Sequence, residues 1–305
     1  LAETRVKHPV LGYRVACIVG EKGDSFSGSL AYIPVVSFSA FKEHPDRFQA
    51  RWAVLERQSG RSGDEVRALL SLLPRHLSFQ TLPSFTERVL QKVTLSEVSE
   101  SWFLENLAEG EKRFYERLKR VFDVIGSITV GSLTMPLMAL VALGIKLEDG
   151  RNVLYRQMRV GKDGKLFRLV KFQSMRENAE TSGPRWTTAC DPRVTRFGGF
   201  LRSTRLDELP QLWNVLMGDL SFVGPRPERP EFVEKLEKNI PFYSLRHLVR
   251  PGLSGWAQIN NPLHSVEESY EKLEYDLFYV KNRSFALDVA IALKTLSIIL
   301  QRKGR

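Results

Sequence analysis

Short apolar segments alternate with polar or amphipathic stretches through the first third of the chain. Residues 13–19, 33–38 and 50–55 have the length and apolar content of buried strands, and residues 64–73 form an amphipathic run that suits a helix. Strands that alternate with helical segments are typical of α/β folds. The pattern therefore predicts an α/β domain in this part of the chain.

The pattern changes after Pro83. Residues 87–118 are charged and helix-prone, and we place a domain boundary near residue 110, which gives an accessory domain over 1–110 and a second domain over 111–305. The first domain contains no G-x-G-x-x-G run, the phosphate loop of dinucleotide-binding α/β domains. A scaffold or regulatory role is therefore the favoured interpretation of this domain.

A long apolar segment follows. Residues 124–145 are 22 residues without a formal charge. As a helix they would extend about 33 Å, close to the thickness of a bilayer core. Pro136 stands in the middle, where a proline breaks or bends a helix at a cost of about 3 kcal/mol or more. The residues alone leave three alternatives: a helix that crosses the membrane, a re-entrant helix that turns back, and the core helix of a soluble protein.

Two further segments have clear patterns. Residues 153–175 contain two apolar-rich pieces around an Asp-Gly pair at 163–164, which suits a tight reversal, so they predict a β-hairpin with a basic face. Residues 286–300 are apolar, with only Asp288 and Lys294 charged, and they predict a helix that is too short to span a bilayer. This helix belongs either to the core or to a membrane interface.

The stretch 202–230 holds the residues with the most chemistry. Asp207 and Glu208 are adjacent, and an apolar helical stripe follows them, with Pro210 at the position of a first helical turn. The stripe consists of Leu209, Leu212, Trp213 and Leu216. The spacing predicts that the acidic pair lies at the N-terminal end of this helix.

Such an acidic pair has two interpretations. Acidic residues at a helix start often serve as caps and interact favourably with the helix dipole. Here, however, Arg202 and Arg205 precede the pair, and Arg226 and Arg229 follow it in a proline-rich loop. Guanidinium groups bind phosphate oxygens in a bidentate manner. This setting favours phosphoryl transfer, in which one carboxylate attacks phosphorus and the other holds Mg²⁺.

The net charge narrows the class of partner. The 305 residues include 45 Lys and Arg against 35 Asp and Glu, a net charge of +10, and residues 1–110 carry 13 of each sign, so the whole surplus lies in 111–305. Such a surplus indicates a nucleic acid, a membrane face or a phosphorylated substrate. Nucleic acid is disfavoured because basic motifs interleaved with aromatic residues are lacking. The two cysteines, Cys17 and Cys190, lie far apart without metal-ligand spacing and fit a reducing, cytoplasmic setting.

Four ordered motifs carry a family resemblance. They are KRVFDVIG at 119–126, VKFQSM at 170–175, LRSTRLDELPQLWNVLMGDLSFVGPRP at 201–227 and RPGLSGWAQIN at 250–260. With these motifs the chain resembles the bacterial sugar transferases, the monotopic polyprenyl-phosphate phosphoglycosyl transferases that start exopolysaccharide, O-antigen and capsule assembly. The resemblance covers roughly residues 112–302.

The resemblance implies a reaction and its catalytic residues. Asp207 would attack the phosphate next to the sugar of a UDP-sugar, expel UMP and carry a covalent sugar phosphate, while Glu208 would hold Mg²⁺. Undecaprenyl phosphate would then accept the sugar phosphate. The implied donor is UDP-glucose or UDP-galactose. The alternatives are a UDP-N-acetylhexosamine donor and a non-catalytic membrane scaffold of a polysaccharide assembly complex.

The resemblance also implies substrate-binding residues. Arg202 matches the family arginine upstream of the acidic pair and would bind the lipid phosphate. Arg226, in the Gly-Pro-Arg-Pro loop, would bind phosphate on the nucleotide side, and Lys171 and Arg229 are further candidates. Membrane phospholipid is a further expected partner, and a homodimer is left open.

The fold implied by the resemblance has two parts. Residues 1–110 would be the remnant of a Rossmann-like domain. The rest would be an α+β monotopic membrane domain whose helix, about 121–147, re-enters the cytoplasmic leaflet of the bacterial inner membrane and is broken at Pro136. Met135 replaces the serine usual before this proline, and Thr134 is our candidate for satisfying the carbonyl that the break frees.

The chain is also expected to be a fragment. Larger members of the family carry about four transmembrane helices ahead of the Rossmann-like domain, and the sequence begins with Leu1 rather than Met. We therefore expect a longer protein with an upstream membrane bundle.

Overall fold

The computed structural model describes most of the chain. The described residues are 15–19, 33–55, 63–75, 77–97, 100–107, 112–176, 191–261 and 266–301. They belong to two compact units, Leu1–Val98 and Ser99–Arg305.

The first unit contains short strands and helices in alternation. Its elements are β1 (Ile18–Val19), β2 (Val35–Val36), α1 (Phe38–Glu43), β3 (Trp52–Leu55), α2 (Gly63–Leu70), β4 (Ser78–Thr81) and α3 (Leu82–Leu90). The pairs β1–β2 and β3–β4 are parallel, and Phe41, Leu72 and Leu77 form a buried core. The mixture of strands and helices agrees with the predicted pattern. Within the described residues the strands form two separate pairs, so a Rossmann-like sheet stays a prediction.

The second unit begins with α4 (Glu100–Asn106), where the Phe103 ring packs 4.5 Å from the Phe242 ring, centroid to centroid. The division between the units therefore precedes this helix, ahead of the boundary predicted at residue 110. The remaining elements are α5 (Arg113–Asp149), β5 (Leu154–Val160), β6 (Leu166–Phe172), α6 (Arg196–Ser203), α7 (Gln211–Met217), β7 (Ser221–Val223), α8 (Pro230–Asn239), β8 (Gly252–Ser254), α9 (Trp256–Asn260), α10 (Val266–Asn282) and α11 (Phe285–Leu300).

Helix α5 contains the long apolar segment. It has 37 residues and is long and apolar enough to cross a membrane, and only 11% of its most apolar window is buried. The helix is continuous through Pro136, so the structure does not show the predicted break. A proline removes one N–H donor and bends a helix, but the hydrogen bonds on either side can persist.

Thr134 bonds carbonyls other than the one predicted. Its hydroxyl donates to the carbonyls of Val130 (2.7 Å) and Gly131 (3.5 Å). The carbonyl that loses its helical donor at Pro136 lies four residues earlier, at Ser132. Thr134 therefore does not replace the lost donor, and its bonds follow the back-bonding pattern of threonine within helices.

The N-terminal part of α5 is fixed to the second unit by polar contacts. Arg120 donates to the carbonyls of Val215 (2.5 Å) and Leu216 (2.6 Å) at the C-terminal end of α7. Asp123 accepts from the Ser221 hydroxyl and the Phe222 N–H, both at 3.0 Å. The KRVFDVIG motif therefore has a structural role, because it joins α5 to α7 and β7.

The C-terminal part of α5 packs on the same unit through apolar contacts. Val141 and Ile145 are buried in a cluster with Phe172 and Leu201. Between the two contact regions the helix is exposed, and its large apolar side chains there are Ile128, Val130, Leu133, Met135, Leu137 and Leu140. Both ends of α5 are therefore attached to one unit, while none of the residues that the structure describes covers the apolar middle.

The predicted β-hairpin and C-terminal helix are both confirmed. Strands β5 and β6 pair antiparallel, with Leu154 opposite Phe172 and Val160 opposite Leu166. In α11, Ile291 is fully buried, whereas Leu293 and Leu296 are 63% and 53% exposed. One face of this helix belongs to the core, and the other presents apolar side chains that are exposed among the described residues, so a membrane interface for that face stays a prediction.

Candidate active site

The acidic pair lies in a tight turn between two helices. Helix α6 ends at Ser203, Arg205 takes the left-handed conformation (φ 60°), and residues Leu206–Glu208 form a single 3-10 turn. Asp207 and Glu208 therefore precede α7 and do not belong to its first turn, which corrects the predicted helix start. The left-handed Arg205 reverses the chain, so both carboxylates are presented by a turn.

The predicted apolar stripe is buried only in part, because Leu212 is buried but Trp213 is exposed. The buried side chains of the helix are Gln211, Leu212, Asn214 and Val215, whereas Trp213 and Met217 are each 60% exposed. Asn214 accounts for this orientation. Its amide accepts from the Val170 N–H (3.0 Å) and donates to the Arg168 carbonyl (2.8 Å), so a polar residue fixes α7 to β6.

Glu208 has two arginine neighbours. Its Oε1 lies 3.2 Å from Arg226 Nη2 and 3.5 Å from Arg205 Nη1. Burial acts in the opposite direction, but the charges of Arg226 and Arg205 lower the pKa of Glu208. Glu208 is therefore an ionised carboxylate in a cationic setting. The Gly-Pro-Arg-Pro loop therefore contacts the acidic pair through Arg226, and Arg205 contacts the same carboxylate oxygen.

Asp207 is the more buried of the two acids. Its side chain is 7% exposed, and no hydrogen bond reaches its Oδ1 from any described residue. Burial raises the pKa of Asp207 to about 6, and the charge of Glu208 adds to this, whereas Lys171, Arg202 and Arg205 oppose it. An acid with an unoccupied oxygen and cations nearby has the properties of a nucleophile held for a phosphorylated substrate.

Lys171 and Arg202 complete the cationic surroundings. Lys171 lies near the end of β6 with its ammonium group 5.2 Å from the centroid of the Tyr155 ring. Burial lowers the pKa of Lys171 to about 8, although the charge of Asp207 opposes this. Burial also lowers the pKa of Arg202 against the charges of Asp207 and Asp191. Both cations are therefore close enough to Asp207 to act on it electrostatically.

Arg229 has other neighbours. It precedes α8, pairs with Glu231 (3.4 Å), and places its guanidinium group 5.7 Å from the centroid of the Phe232 ring. The structure thus gives Arg229 contacts at the start of α8, and its role in substrate binding stays a prediction.

Two of the resemblance motifs meet at the parallel pair β7–β8. Gly224 N donates to the Ser254 carbonyl (2.8 Å), and Gly252 N donates to the Pro225 carbonyl (3.0 Å). A Cβ atom on Gly224 would lie 2.3 Å from the Arg250 carbonyl oxygen, and one on Gly252 would lie 2.1 Å from the Gly224 nitrogen. Both positions therefore require glycine, which is why FVGPRP and RPGLSG lie side by side.

The residues present suit a magnesium ion that shares its ligands with a substrate. No cluster of three metal-ligating side chains occurs in the described part of the chain. Mg²⁺ in phosphoryl-transfer sites is commonly held by one or two carboxylates, with substrate phosphates and water completing its shell. The unbonded Oδ1 of Asp207 beside the carboxylate of Glu208 fits such a partial donor set.

Comparison with known proteins agrees with this geometry. The family model described as Bacterial sugar transferase matches residues 114–302. The chain is 38% identical over 244 residues to the UDP-N-acetylgalactosamine-undecaprenyl-phosphate N-acetylgalactosaminephosphotransferase of Aeromonas hydrophila, covering 80% of this chain and 57% of that protein. It is 40% identical over 182 residues to the UDP-glucose:undecaprenyl-phosphate glucose-1-phosphate transferase of Escherichia coli (strain K12), covering 59% of this chain and 39% of that protein.

A shorter relative matches over nearly its whole length. The chain is 39% identical over 192 residues to the Exopolysaccharide production protein PSS of Rhizobium leguminosarum bv. phaseoli, covering 61% of this chain and 96% of that protein. By contrast, the chain spans about half the length of the two longer relatives. Because the family model matches well over half of the chain and includes every residue of the site, the protein belongs to the bacterial sugar transferase family.

Proposed function

We propose that the protein transfers hexose 1-phosphate from a UDP-sugar to undecaprenyl phosphate and releases UMP, the first step of exopolysaccharide, O-antigen or capsule synthesis. One observation carries this proposal: the buried Asp207 has an unbonded oxygen beside Glu208, among Lys171, Arg202 and Arg205. The names of the relatives support undecaprenyl phosphate as acceptor and a UDP-sugar as donor.

The proposed reaction has two steps. Asp207 attacks the phosphorus next to the sugar, the bond to the UMP oxygen breaks, and UMP leaves with the electron pair of that bond. The phosphate of undecaprenyl phosphate then attacks the same phosphorus, and the bond to Asp207 breaks, which regenerates the carboxylate. Each step transfers one phosphoryl group and needs no redox partner.

The residues around Asp207 supply charge stabilisation. Arg226 and Arg205, which now face Glu208, can turn to phosphate oxygens when a nucleotide diphosphate binds. Lys171 and Arg202 offer further positive charge on the side of Asp207. Preorganised cations that face the charge developing on a transferring phosphoryl group lower the barrier. Glu208 would hold Mg²⁺, which supplies further neutralisation of the phosphate oxygens when bound.

We further propose that α5 enters the cytoplasmic leaflet of the bacterial inner membrane, bends at Pro136 and returns to the same side. Arg120 and Asp123 fix one end of α5, and Val141 and Ile145 fix the other, to the same unit. A folded unit cannot lie on both sides of a bilayer, so both ends belong on one side. The uncovered apolar middle, which contains Pro136, would then lie in the lipid.

Paired cysteines test this topology. In a chain with Cys17 and Cys190 replaced by serine, Leu118→Cys and Asn152→Cys should both react with a membrane-impermeant maleimide from the cytoplasmic side. A helix that crosses the membrane would place the two cysteines on opposite sides, and that labelling pattern would refute re-entry.

The donor sugar has two candidates. UDP-glucose or UDP-galactose is the proposed donor, and the Escherichia coli relative is named for a glucose donor. A UDP-N-acetylhexosamine is the second candidate, because the Aeromonas relative, which matches the larger share of this chain, is named for UDP-N-acetylgalactosamine. A screen of UMP release with each of these UDP-sugars, using membranes that contain undecaprenyl phosphate, separates the two.

The activity itself is tested in the same assay. Wild-type protein should release UMP in molar excess over the enzyme only when both a UDP-sugar and undecaprenyl phosphate are present. A catalytically silent scaffold would release no UMP from any donor, and that result would overturn the proposed function.

A further inference from the structure

The loop that carries Arg226 is held by its carbonyl oxygens. Residues 224–229 include two prolines, which have no N–H to donate, so the loop has few backbone donors of its own. Each carbonyl from Pro225 to Glu228 nevertheless accepts a hydrogen bond from outside the loop. The donors are Gly252 N to Pro225 (3.0 Å), Arg246 Nη2 to Arg226 (2.9 Å), Arg159 Nη1 to Pro227 (2.9 Å) and Val160 N to Glu228 (3.0 Å).

The donor to Arg226 itself is a buried arginine. Arg246 lies in the 3-10 turn Tyr243–Leu248 and is 6% exposed. The Nη2 atom that donates to the Arg226 carbonyl also lies 2.7 Å from Asp276 Oδ2, and Nη1 donates to the Tyr243 hydroxyl at 2.5 Å. Asp276 is 1% exposed on α10. The guanidinium group is therefore fixed on two sides before it reaches the loop.

Arg226 is consequently held at both ends. Arg246 binds its carbonyl oxygen, and Glu208 binds its guanidinium group at 3.2 Å. We propose that Arg246, oriented by Asp276, is a positioning residue that fixes Arg226 for binding the phosphates of the donor. This inference rests on the proposed function, since it assigns the purpose of the contact to phosphate transfer.

The chemistry of the contact explains why an arginine occupies this position. A buried ion pair contributes little to stability compared with apolar side chains of similar volume, so the Arg246–Asp276 pair is poorly explained by folding stability. An apolar residue cannot donate to the Arg226 carbonyl, and a lysine offers a single nitrogen where the planar guanidinium group reaches Asp276, Tyr243 and the carbonyl together. A shift of about 1 Å in a positioned catalytic group can cost about a hundredfold in rate.

A double-mutant cycle tests whether Arg246 acts through Arg226. Arg246→Gln alone should lower kcat/KM for the UDP-sugar by about tenfold or more. In the Arg226→Ala background the same substitution should change kcat/KM by less than about twofold, because the group it positions is already absent. Arg283→Gln is the matched control: Arg283 is also buried and ion-paired, with Glu116 at 2.9 Å, and its effect should be the same in both backgrounds. Independent, multiplying effects of Arg246→Gln and Arg226→Ala would overturn the proposal.

Amide hydrogen exchange tests the same inference without turnover. In full-length Arg246→Gln protein in nanodiscs, the peptide that spans residues 224–231 should exchange faster than in wild type, and in Arg283→Gln it should not. Unchanged exchange of this peptide in Arg246→Gln would refute the positioning role. If Arg246→Gln does not fold, Arg246→Lys replaces it with the same expected order. A wild type that releases no UMP from any UDP-sugar would reject the proposed function, while the exchange result would still decide whether Arg246 fixes the loop.

Discussion

Two buried aspartates in the second unit differ in how their oxygens are used. Asp288 on α11 accepts from the Tyr279 hydroxyl at Oδ1 (2.8 Å) and from Tyr115 (2.7 Å) and Lys119 (2.5 Å) at Oδ2. Asp207 is equally buried, but its Oδ1 has no hydrogen bond from any residue that the structure describes.

The difference sets Asp207 apart from Asp288, and Asp123 Oδ2 and Asp276 Oδ1 are the other buried aspartate oxygens without a hydrogen bond from the described residues. Buried polar atoms in folded proteins are nearly always bonded, and an unbonded one calls for a reason. Asp288 joins α5, α10 and α11, and each of its two carboxylate oxygens accepts at least one hydrogen bond. Asp207 keeps an oxygen available among cations, and a substrate phosphorus or a metal ion is the reason that we propose.

The largest expected effect comes from Asp207→Asn. UMP release should fall by a factor on the order of 10³ or more, because an amide cannot form the acyl phosphate. The free energy of unfolding should change by less than about 1 kcal/mol, since no bond to Oδ1 is lost. Measuring UMP release and urea unfolding on the same preparation checks the loss of activity and the unchanged free energy of unfolding. Substantial UMP release by this variant would remove Asp207 from the role of nucleophile.

Glu208→Gln is expected to have the next largest effect on rate. It removes the charge that Arg226 and Arg205 face and the carboxylate that would hold Mg²⁺. We expect kcat to fall about a hundredfold and the Mg²⁺ concentration for half-maximal rate to rise. An unchanged Mg²⁺ dependence would show that Glu208 does not hold the metal.

Asp288→Asn should lower stability and leave activity nearly unchanged, the reverse of the effects expected for Asp207→Asn. It leaves the largely buried Lys119 without its carboxylate, and breaking a buried ion pair costs about 3–5 kcal/mol. Thermal unfolding in nanodiscs should therefore occur at a clearly lower temperature, while kcat of the folded fraction stays within a few-fold of wild type. A variant as stable as wild type would contradict the structural role of Asp288.

Lys171 gives a pH dependence. Burial lowers the pKa of its ammonium group to about 8, so the positive charge near Asp207 is lost as the pH rises through 8. The kcat/KM of wild type should therefore fall between about pH 7.5 and 9, since kcat/KM reports the free enzyme. In Lys171→Arg this fall should be absent, because arginine stays charged in that range. Identical profiles for the two proteins would exclude Lys171 as the source.

The smallest effect is expected for Asp191→Asn. Asp191 accepts three bonds from Arg193, to Oδ1 from the backbone N–H (3.0 Å) and Nε (2.8 Å) and to Oδ2 from Nη2 (2.6 Å). These bonds lower its pKa to about 2. A folded-state pKa below the unfolded value stabilises the protein above about pH 4, and this stabilisation is lost as the pH falls toward 2. The difference in Tm between wild type and variant should therefore be constant above pH 4 and shrink below it, with UMP release at pH 7 within about twofold.

Features that depend on residues close together in the chain could be predicted from the sequence. The Asp-Gly reversal at 163–164 predicted the hairpin, and the adjacency of Asp207 and Glu208 identified the acidic pair. The apolar spacing on α7 did not predict that Trp213 is exposed. The orientation of the helix depends on bonds between Asn214 and the backbone of β6, which is distant in the sequence. Hydrophobic periodicity depends on the apolar residues alone and cannot predict such a hydrogen bond.

Contacts between residues that are distant in the chain could not be predicted from the sequence. Arg159 lies on β5 of the hairpin, for which the sequence predicts only a basic face, and it donates to the Pro227 carbonyl. No local pattern marks Arg246 as a site residue. Its contact with the Arg226 carbonyl depends on the pairing of β7 with β8. The proline at 136 was expected to break α5, but a continuous helix accommodates it.

Intact-mass analysis of the protein tests the nucleophile most directly. Wild type incubated with the preferred UDP-sugar in the absence of undecaprenyl phosphate should gain the mass of one sugar phosphate, and peptide mapping should place it on Asp207. The adduct should disappear when undecaprenyl phosphate is added and should never form on Asp207→Asn. Wild type that releases UMP with acceptor present, yet shows no adduct without it, would contradict the covalent role of Asp207.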